Sequence, residues 1–290
     1  MSERHGKKEP GKIESTGHSW DGIEELNTPL PGWWVWCFYA TIVFAAGYMI
    51  AYPAWPLVHS ATPGLLGFSN RGAVEAEIKR FDDANATIKA KLVAADLTAI
   101  KDDPALAAYA KNAGAAVFRA NCVQCHGSGA AGVKGKGYPS LLDNDWLWGG
   151  DMESIHTTVT HGIRNTTDED ARFSQMPAWG EQLSPEEIAQ VVQYVRQVSG
   201  QANDAALATA GAQIFADNCA ACHGEDAKGG RDFGAPNLTD AIWLYGGDVA
   251  KLTETVTFSR FGVMQNWSPR LSEDEIRAVA FYVHGLGGGE

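Results

Sequence analysis

The chain has 290 residues, 45% of them hydrophobic, and its length alone allows about two domains. A formal net charge of −12 argues against nucleic acid as a partner, because phosphate contacts need a basic surface. The same acidity suits a basic soluble partner met fastest at low salt, and a merely solvated acidic surface explains it equally well.

Residues 1–32 are polar and carry both charge signs, with Gly11, Gly17, Gly22, Pro29 and Pro31 expected to interrupt regular structure. Trp33 to Ala51 is free of charge and about long enough to cross a bilayer as a helix. Trp33, Trp34 and Trp36 at one end, with Tyr52 and Trp55 at the other, read as interfacial aromatic belts. Pro53 and Pro56 end the helix, so residues 33–55 are expected to be an uncleaved transmembrane anchor. The cations Arg4, Lys7, Lys8 and Lys12 outnumber Arg71, Lys79 and Arg80, which puts the N-terminal segment on the cytoplasmic side. Residues 56–104 read as a linker, in which Val74, Ile78, Phe81, Ala84, Ile88 and Leu92 follow helical spacing on an amphipathic helix.

The remainder is a tandem repeat. Ala113-Gly-Ala-Ala-Val-Phe118 recurs as Ala210-Gly-Ala-Gln-Ile-Phe215, and Cys219 lies 97 residues after Cys122. Pro139 to Gly150 aligns at the same spacing with Pro236 to Gly247, whereas Leu271-Ser272 lies 88 residues after Leu183-Ser184. The first copy therefore holds about nine extra residues, expected in the loop from Arg164 to Ser174. Domain boundaries are set at 105–200 and 201–290. Each copy ends in a capping box, Ser184 to Glu187 and Ser272 to Glu275, followed by apolar residues at helical spacing. No segment alternates as a strand, so the fold class is all-α: one N-terminal transmembrane helix, then two tandem domains.

Four of the five cysteines sit in Cys122-Val-Gln-Cys125-His126 and Cys219-Ala-Ala-Cys222-His223, leaving Cys37 alone and no disulfide framework. Structural zinc needs four ligands, and a redox dithiol needs neither the histidine nor the duplication. The C-x-x-C-H pattern fits covalent haem c: Cys122, Cys125, Cys219 and Cys222 form thioethers, and His126 and His223 reach iron. Met176 and Met264 each stand seven residues before the aligned leucines, one per copy, and are the candidate second axial ligands. Core filling is the ordinary role of a lone methionine, but the paired positions favour ligation. His156 and His161 are rival ligands without a counterpart in the second copy. Trp146 and Trp243 wall the pocket, bond a propionate or simply fill the core.

Residues 105–290 resemble class I cytochrome c domains, in which a glycine and an aromatic of the first helix cross an aromatic of the last. Gly114, Phe118 and Tyr194 match in the first copy, and Gly211, Phe215 and Tyr282 in the second. The segment Trp20-Asp-Gly-Ile-Glu-Glu-Leu-Asn-Thr-Pro-Leu-Pro31 and the paired Trp-Leu-Trp-Gly-Gly150 and Trp-Leu-Tyr-Gly-Gly247 blocks look like the dihaem subunit of cbb3-type cytochrome c oxidases. That resemblance implies two haem c groups, electrons taken from a cytochrome c, and delivery to a monohaem subunit and then to a haem–copper subunit. It also implies a bacterial inner membrane with the haem domains periplasmic. No copper-ligand cluster is present, so no catalysis of its own is expected. A dihaem peroxidase or a sensor would need an open iron, and a dehydrogenase's membrane cytochrome would not need the leader motif.

Overall fold

The computed structural model describes residues 13–290; the leader cations Arg4, Lys7, Lys8 and Lys12 lie outside these. The chain forms two compact units, one ending at Ala84 and the other spanning Asn85–Glu290.

The first unit opens with a hairpin, β1 (Ser15–Trp20) paired antiparallel with β2 (Ile23–Leu26). The glycines and prolines of the leader predict an irregular segment. Instead, Asp21 and Gly22 both adopt positive φ, which is what a tight hairpin turn requires. Helix α1 (Gly32–Ala51) is twenty residues long with a mean hydropathy of 1.6 and no buried residue, a candidate membrane span. Its last amide partner is the Tyr52 N–H, and Tyr48 and Tyr52 stack with ring centroids 4.6 Å apart. Helix α2 (Asn70–Ala94) is longer than its apolar spacing implied, and its Val74, Ile78 and Phe81 are exposed.

The second unit repeats one local grammar. Helix α3 (Pro104–Asn121) is capped by Asp103, which accepts from the Ala105 and Leu106 amides at 3.0 and 3.1 Å. It runs into the single turn α4 (Val123–His126), and after a long loop Asp151 caps α5 (Met152–His161). Helix α6 (Pro185–Val198) closes the copy, with Ser184 and Glu187 in the expected capping box. The second copy follows suit: Asp204 caps α7 (Ala205–Asn218), α8 (Ala220–His223) is the single turn, and Asp248 caps α9 (Val249–Phe258). Helix α10 (Glu273–His284) carries the second capping box.

Spatial pairing departs from the sequence expectation. The first helix of copy one, α3, packs on the last helix of copy two, α10, and α6 packs on α7. A Cβ on Gly114 would collide with the Ala278 carbonyl and stand 2.7 Å from Tyr282 Cβ, so only glycine allows that approach. Gly211 meets the Gln190 carbonyl in the same way. Phe118 therefore meets Tyr282, with centroids 5.6 Å apart, and Phe215 meets Tyr194 at 5.1 Å. The physical reason lies in the connection between α6 and α7. It is a short segment in which Arg196 donates to the Ala202 carbonyl, and Gln193 accepts from the Asp204 amide. So tight a link folds α7 back on α6 as a hairpin of helices, which leaves α3 for α10. Among the described residues three apolar clusters result, one around Phe118, Ile155 and Val279, one around Phe215, Val192 and Leu252, and one around Leu92, Ile100 and Leu106.

Candidate haem sites

Each cysteine–histidine motif begins where a long helix ends. Cys122 is the C-cap of α3 and Cys219 that of α7, so each short turn carries its histidine straight into a core. Burial, with the neighbouring cysteine adding to it, pushes the Cys122 and Cys219 thiols up to about 11. Such thiols are held neutral and are poor free nucleophiles or metal thiolates.

Both histidines are oriented by a proline carbonyl thirteen residues on. His126 Nδ1 lies 3.2 Å from the Pro139 oxygen and His223 Nδ1 lies 3.0 Å from that of Pro236. With Nδ1 donating, the Nε2 lone pair is free for iron, and the ring is fixed by a partner outside the coordination sphere. Burial lowers both imidazole pKa values, and the proline bonds act against it. The neutral ring, which is the ligating form, is thereby favoured.

Met264 crosses to the first copy, and the backbone beside Met176 is tied to the second. Met264 lines one apolar cavity together with Cys122, His126, Leu141, Trp146 and Val279. Its backbone pairs with Ile163 of the first copy in both directions, N–H to O at 2.9 Å each way. Met176 is tied the opposite way: Ser259, which ends α9, donates its hydroxyl to the Met176 carbonyl. The turn Trp179–Glu181 just beyond Met176 also packs on α9. The paired spacing predicts one methionine for each copy, whereas the fold brings Met264 to the first motif and binds the Met176 segment to the second copy.

The rival histidines are otherwise engaged. His156 Nε2 is 3.1 Å from Glu273, and His161 Nδ1 is 3.2 Å from the Asp168 carboxylate. Trp146 is also committed, donating to the Gly288 carbonyl while walling the cavity. Trp148 is the tryptophan that the sequence reading missed. Among the described residues, its indole Nε1 and the Arg172 Nε are buried without a hydrogen-bond partner. Trp148 lines the cavity, and the Arg172 guanidinium lies 5.7 Å from its ring centroid. Two orphaned donors beside an apolar slot fit the carboxylate end of a haem, which is apolar elsewhere. Trp148 had been visible only as part of a repeated block, and Arg172 falls in the unmatched loop, where no repeat could flag it.

Known protein families match both the N-terminal part and the repeat. The N-terminal domain of cytochrome oxidase-cbb3, FixP, matches residues 12–59. The family described as cytochrome c oxidase, cbb3-type, subunit III matches residues 110–195 and 206–283. This chain belongs to the cbb3-type subunit III family. A cbb3-type cytochrome c oxidase subunit CcoP from Cereibacter sphaeroides is 66% identical, with all of both chains covered. One from Rhodobacter capsulatus is 59% identical over 96% of this chain and 97% of its own. A FixP subunit from Sinorhizobium medicae is 48% identical over all of both. The subunit III chain is thus mostly helical, with an N-terminal apolar helix and tandem haem-binding cytochrome c domains.

Proposed function

We propose that this chain is the electron-entry subunit of a cbb3-type oxidase, carrying two haem c groups and performing no oxygen chemistry itself. It takes electrons from a cytochrome c and hands them to the monohaem cytochrome c subunit and thence to the haem–copper catalytic subunit. Cys122 and Cys125 would hold one haem, with His126 and Met264 as axial ligands. Cys219 and Cys222 would hold the other, with His223 and Met176. Bound haem supplies a one-electron ferric–ferrous couple, and thioether ligation favours the ferrous state.

The chain's own residues do the rest. Pro139 and Pro236 hold the imidazoles, the methionine segments close the opposite side, and apolar walls exclude water. A histidine and a methionine held for each iron would leave no site open to oxygen, which suits a conductor rather than a reactor. The observation that carries the reading is Met264 in one cavity with Cys122 and His126. Helix α1 is the anchor, with the N-terminus cytoplasmic and the haem domains, near residues 105–200 and 201–290, periplasmic at the bacterial inner membrane. Because α3 and α10 exchange partners across those boundaries, each haem unit draws on both copies.

The test is oxygen uptake by the complex purified through a tag after Glu290, with reduced cytochrome c as donor. Cyanide-sensitive uptake, lost in Cys122→Ser or Cys219→Ser complexes that still assemble, supports the assignment. Intact uptake in both variants overturns it. Met264→Ala should open the haem held by Cys122 to carbon monoxide, and Met176→Ala the one held by Cys219.

A further inference from the structure

Arg164 begins the loop that the second copy lacks, and its backbone is held at φ 54°, a left-handed conformation costly for a non-glycine residue. The strain accompanies a dense set of bonds. Its amide donates to the Arg172 carbonyl at 2.8 Å, closing the loop on itself. Its side chain forks: Nε donates to the Ser174 carbonyl, and Nη1 donates to the Gly262 carbonyl at 3.2 Å. Ser174 stands two residues before Met176, and Gly262 stands two residues before Met264. One guanidinium therefore grips both methionine segments at the same register. Beside it, Trp148 presents its ring 5.8 Å from the Arg164 carbon.

We infer that Arg164 is a positioning residue for both axial methionines, a single tie through which the two haem sites share their ligand geometry. This rests on the methionine assignment above. Each methionine segment has a second anchor from the opposite side, Ser259 on the Met176 carbonyl and Asn165 on the Met264 carbonyl at 3.3 Å. Among the described residues, Arg164 is the one whose side chain bonds to both segments. A planar fork can satisfy two carbonyls at once, whereas a lysine ammonium is a compact point charge without that geometry. Residues that orient a ligand from outside the coordination sphere typically change metal-site behaviour when lost.

The experiment uses the full chain purified in detergent and compares wild type, Arg164→Gln, Arg164→Lys and Arg277→Gln. Arg277 is the control: its Nη1 donates to the Leu92 and Ala95 carbonyls and its Nε to Glu273, none of them in a methionine segment. Readouts are the sulfur-to-ferric-iron charge-transfer band, both midpoint potentials, carbon monoxide binding to the reduced chain and covalent haem content. Arg164→Gln should keep its covalent haem but weaken the band and lower the potential at both haems. Its carbon monoxide-accessible fraction should rise about tenfold. Arg277→Gln should lower the thermal midpoint and leave band and potentials in place. Arg164→Lys should fail at one haem at least, because one ammonium cannot hold both carbonyls in the same geometry. A glutamine variant altered at one haem only, or a lysine variant with both haems unchanged, overturns the shared tie. A wild-type chain without the charge-transfer band would instead sink the methionine assignment itself.

Discussion

The two copies of the repeat agree wherever a haem has to be held and disagree where the two sites meet. Both have an aspartate cap before the first helix, a cysteine at its end, a proline carbonyl behind the histidine and a capping box before the last helix. Between their third and last helices they diverge. The first copy inserts the loop that Arg164 closes, while the second turns at once through Ser259, held at φ 56°. Duplication preserved the holder, and the asymmetric parts became the clasp between holders. A repeat unit in the sequence is therefore not a folding unit in space.

The largest effect should come from cutting the chain between the copies. A chain ending at Gly200 lacks α10 and Met264, so Phe118, now 1% exposed, would lose its cover. Such a fragment should give no stable methionine-ligated haem at the Cys122 site, read from the charge-transfer band and a thermal melt. Supplying residues 201–290 in trans should restore it. A fragment that melts like the parent and keeps its band would show the cross-copy pairing to be wrong.

A finer test asks which aromatic each phenylalanine meets. Phe118→Ala and Phe215→Ala should each cost about 3–5 kcal/mol in chemical denaturation, as buried aromatics do. A double-mutant cycle should find a coupling of about 1 kcal/mol between Phe118 and Tyr282 and essentially none between Phe118 and Tyr194. Reversed couplings would restore the in-copy pairing.

Those pairings mark the limit of what could be read from the residues alone. The motifs, the two methionine positions, the capping boxes and the apolar span all follow from local spacing, and local spacing is what a single sequence displays. Gly114 and Gly211 carry the same signature, as do Tyr194 and Tyr282, so in-copy and cross-copy crossings are equivalent by pattern. The tie is broken by the short connection between α6 and α7, a matter of chain reach rather than residue type. Arg164, Arg172 and Trp148 were hidden for a related reason. Arg164 and Arg172 lie in a loop with no partner copy to compare, and Trp148, matched by Tyr245, owes its role to those two guanidinium groups beside its ring.

Smaller effects separate the copies at single caps. Asp151→Ala and Asp248→Ala each remove a side chain that accepts from the first turn, at 2.8 and 3.0 Å respectively. Each should cost about 1 kcal/mol. If the cores are built as the packing indicates, Asp151→Ala should weaken the core containing Ile155, and Asp248→Ala the one containing Leu252. Site-resolved hydrogen exchange would separate the two, and identical protection patterns in both variants would contradict the division.

The smallest expected effect is a pH dependence confined to one copy. Asp145 lines the cavity beside Trp146, and its counterpart in the second copy is Ile242. Burial, then the charges of Asp240 and Asp143, push the Asp145 carboxyl up to about 6. Asp143 and Asp240 are themselves matched positions in the two copies, so the approach of the copies adds the Asp240 charge to that of Asp143 near one half-buried acid. A carboxyl raised above its unfolded value near 4 binds more protons in the folded state through that interval. Folding stability contributed by this group therefore falls as pH rises from about 4 to about 6, and levels off above. Asp145→Asn removes the ionisation, so its advantage over the parent should grow across that window. The gain should reach about 1 kcal/mol at neutral pH, allowing for solvent screening of a half-buried group. Ile242→Asp reverses the comparison by placing an acid at the matched position of the second copy. Thermal midpoints at pH 4 and pH 7 decide the matter: a gap between Asp145→Asn and parent that stays constant with pH would mean that Asp145 does not titrate in this interval.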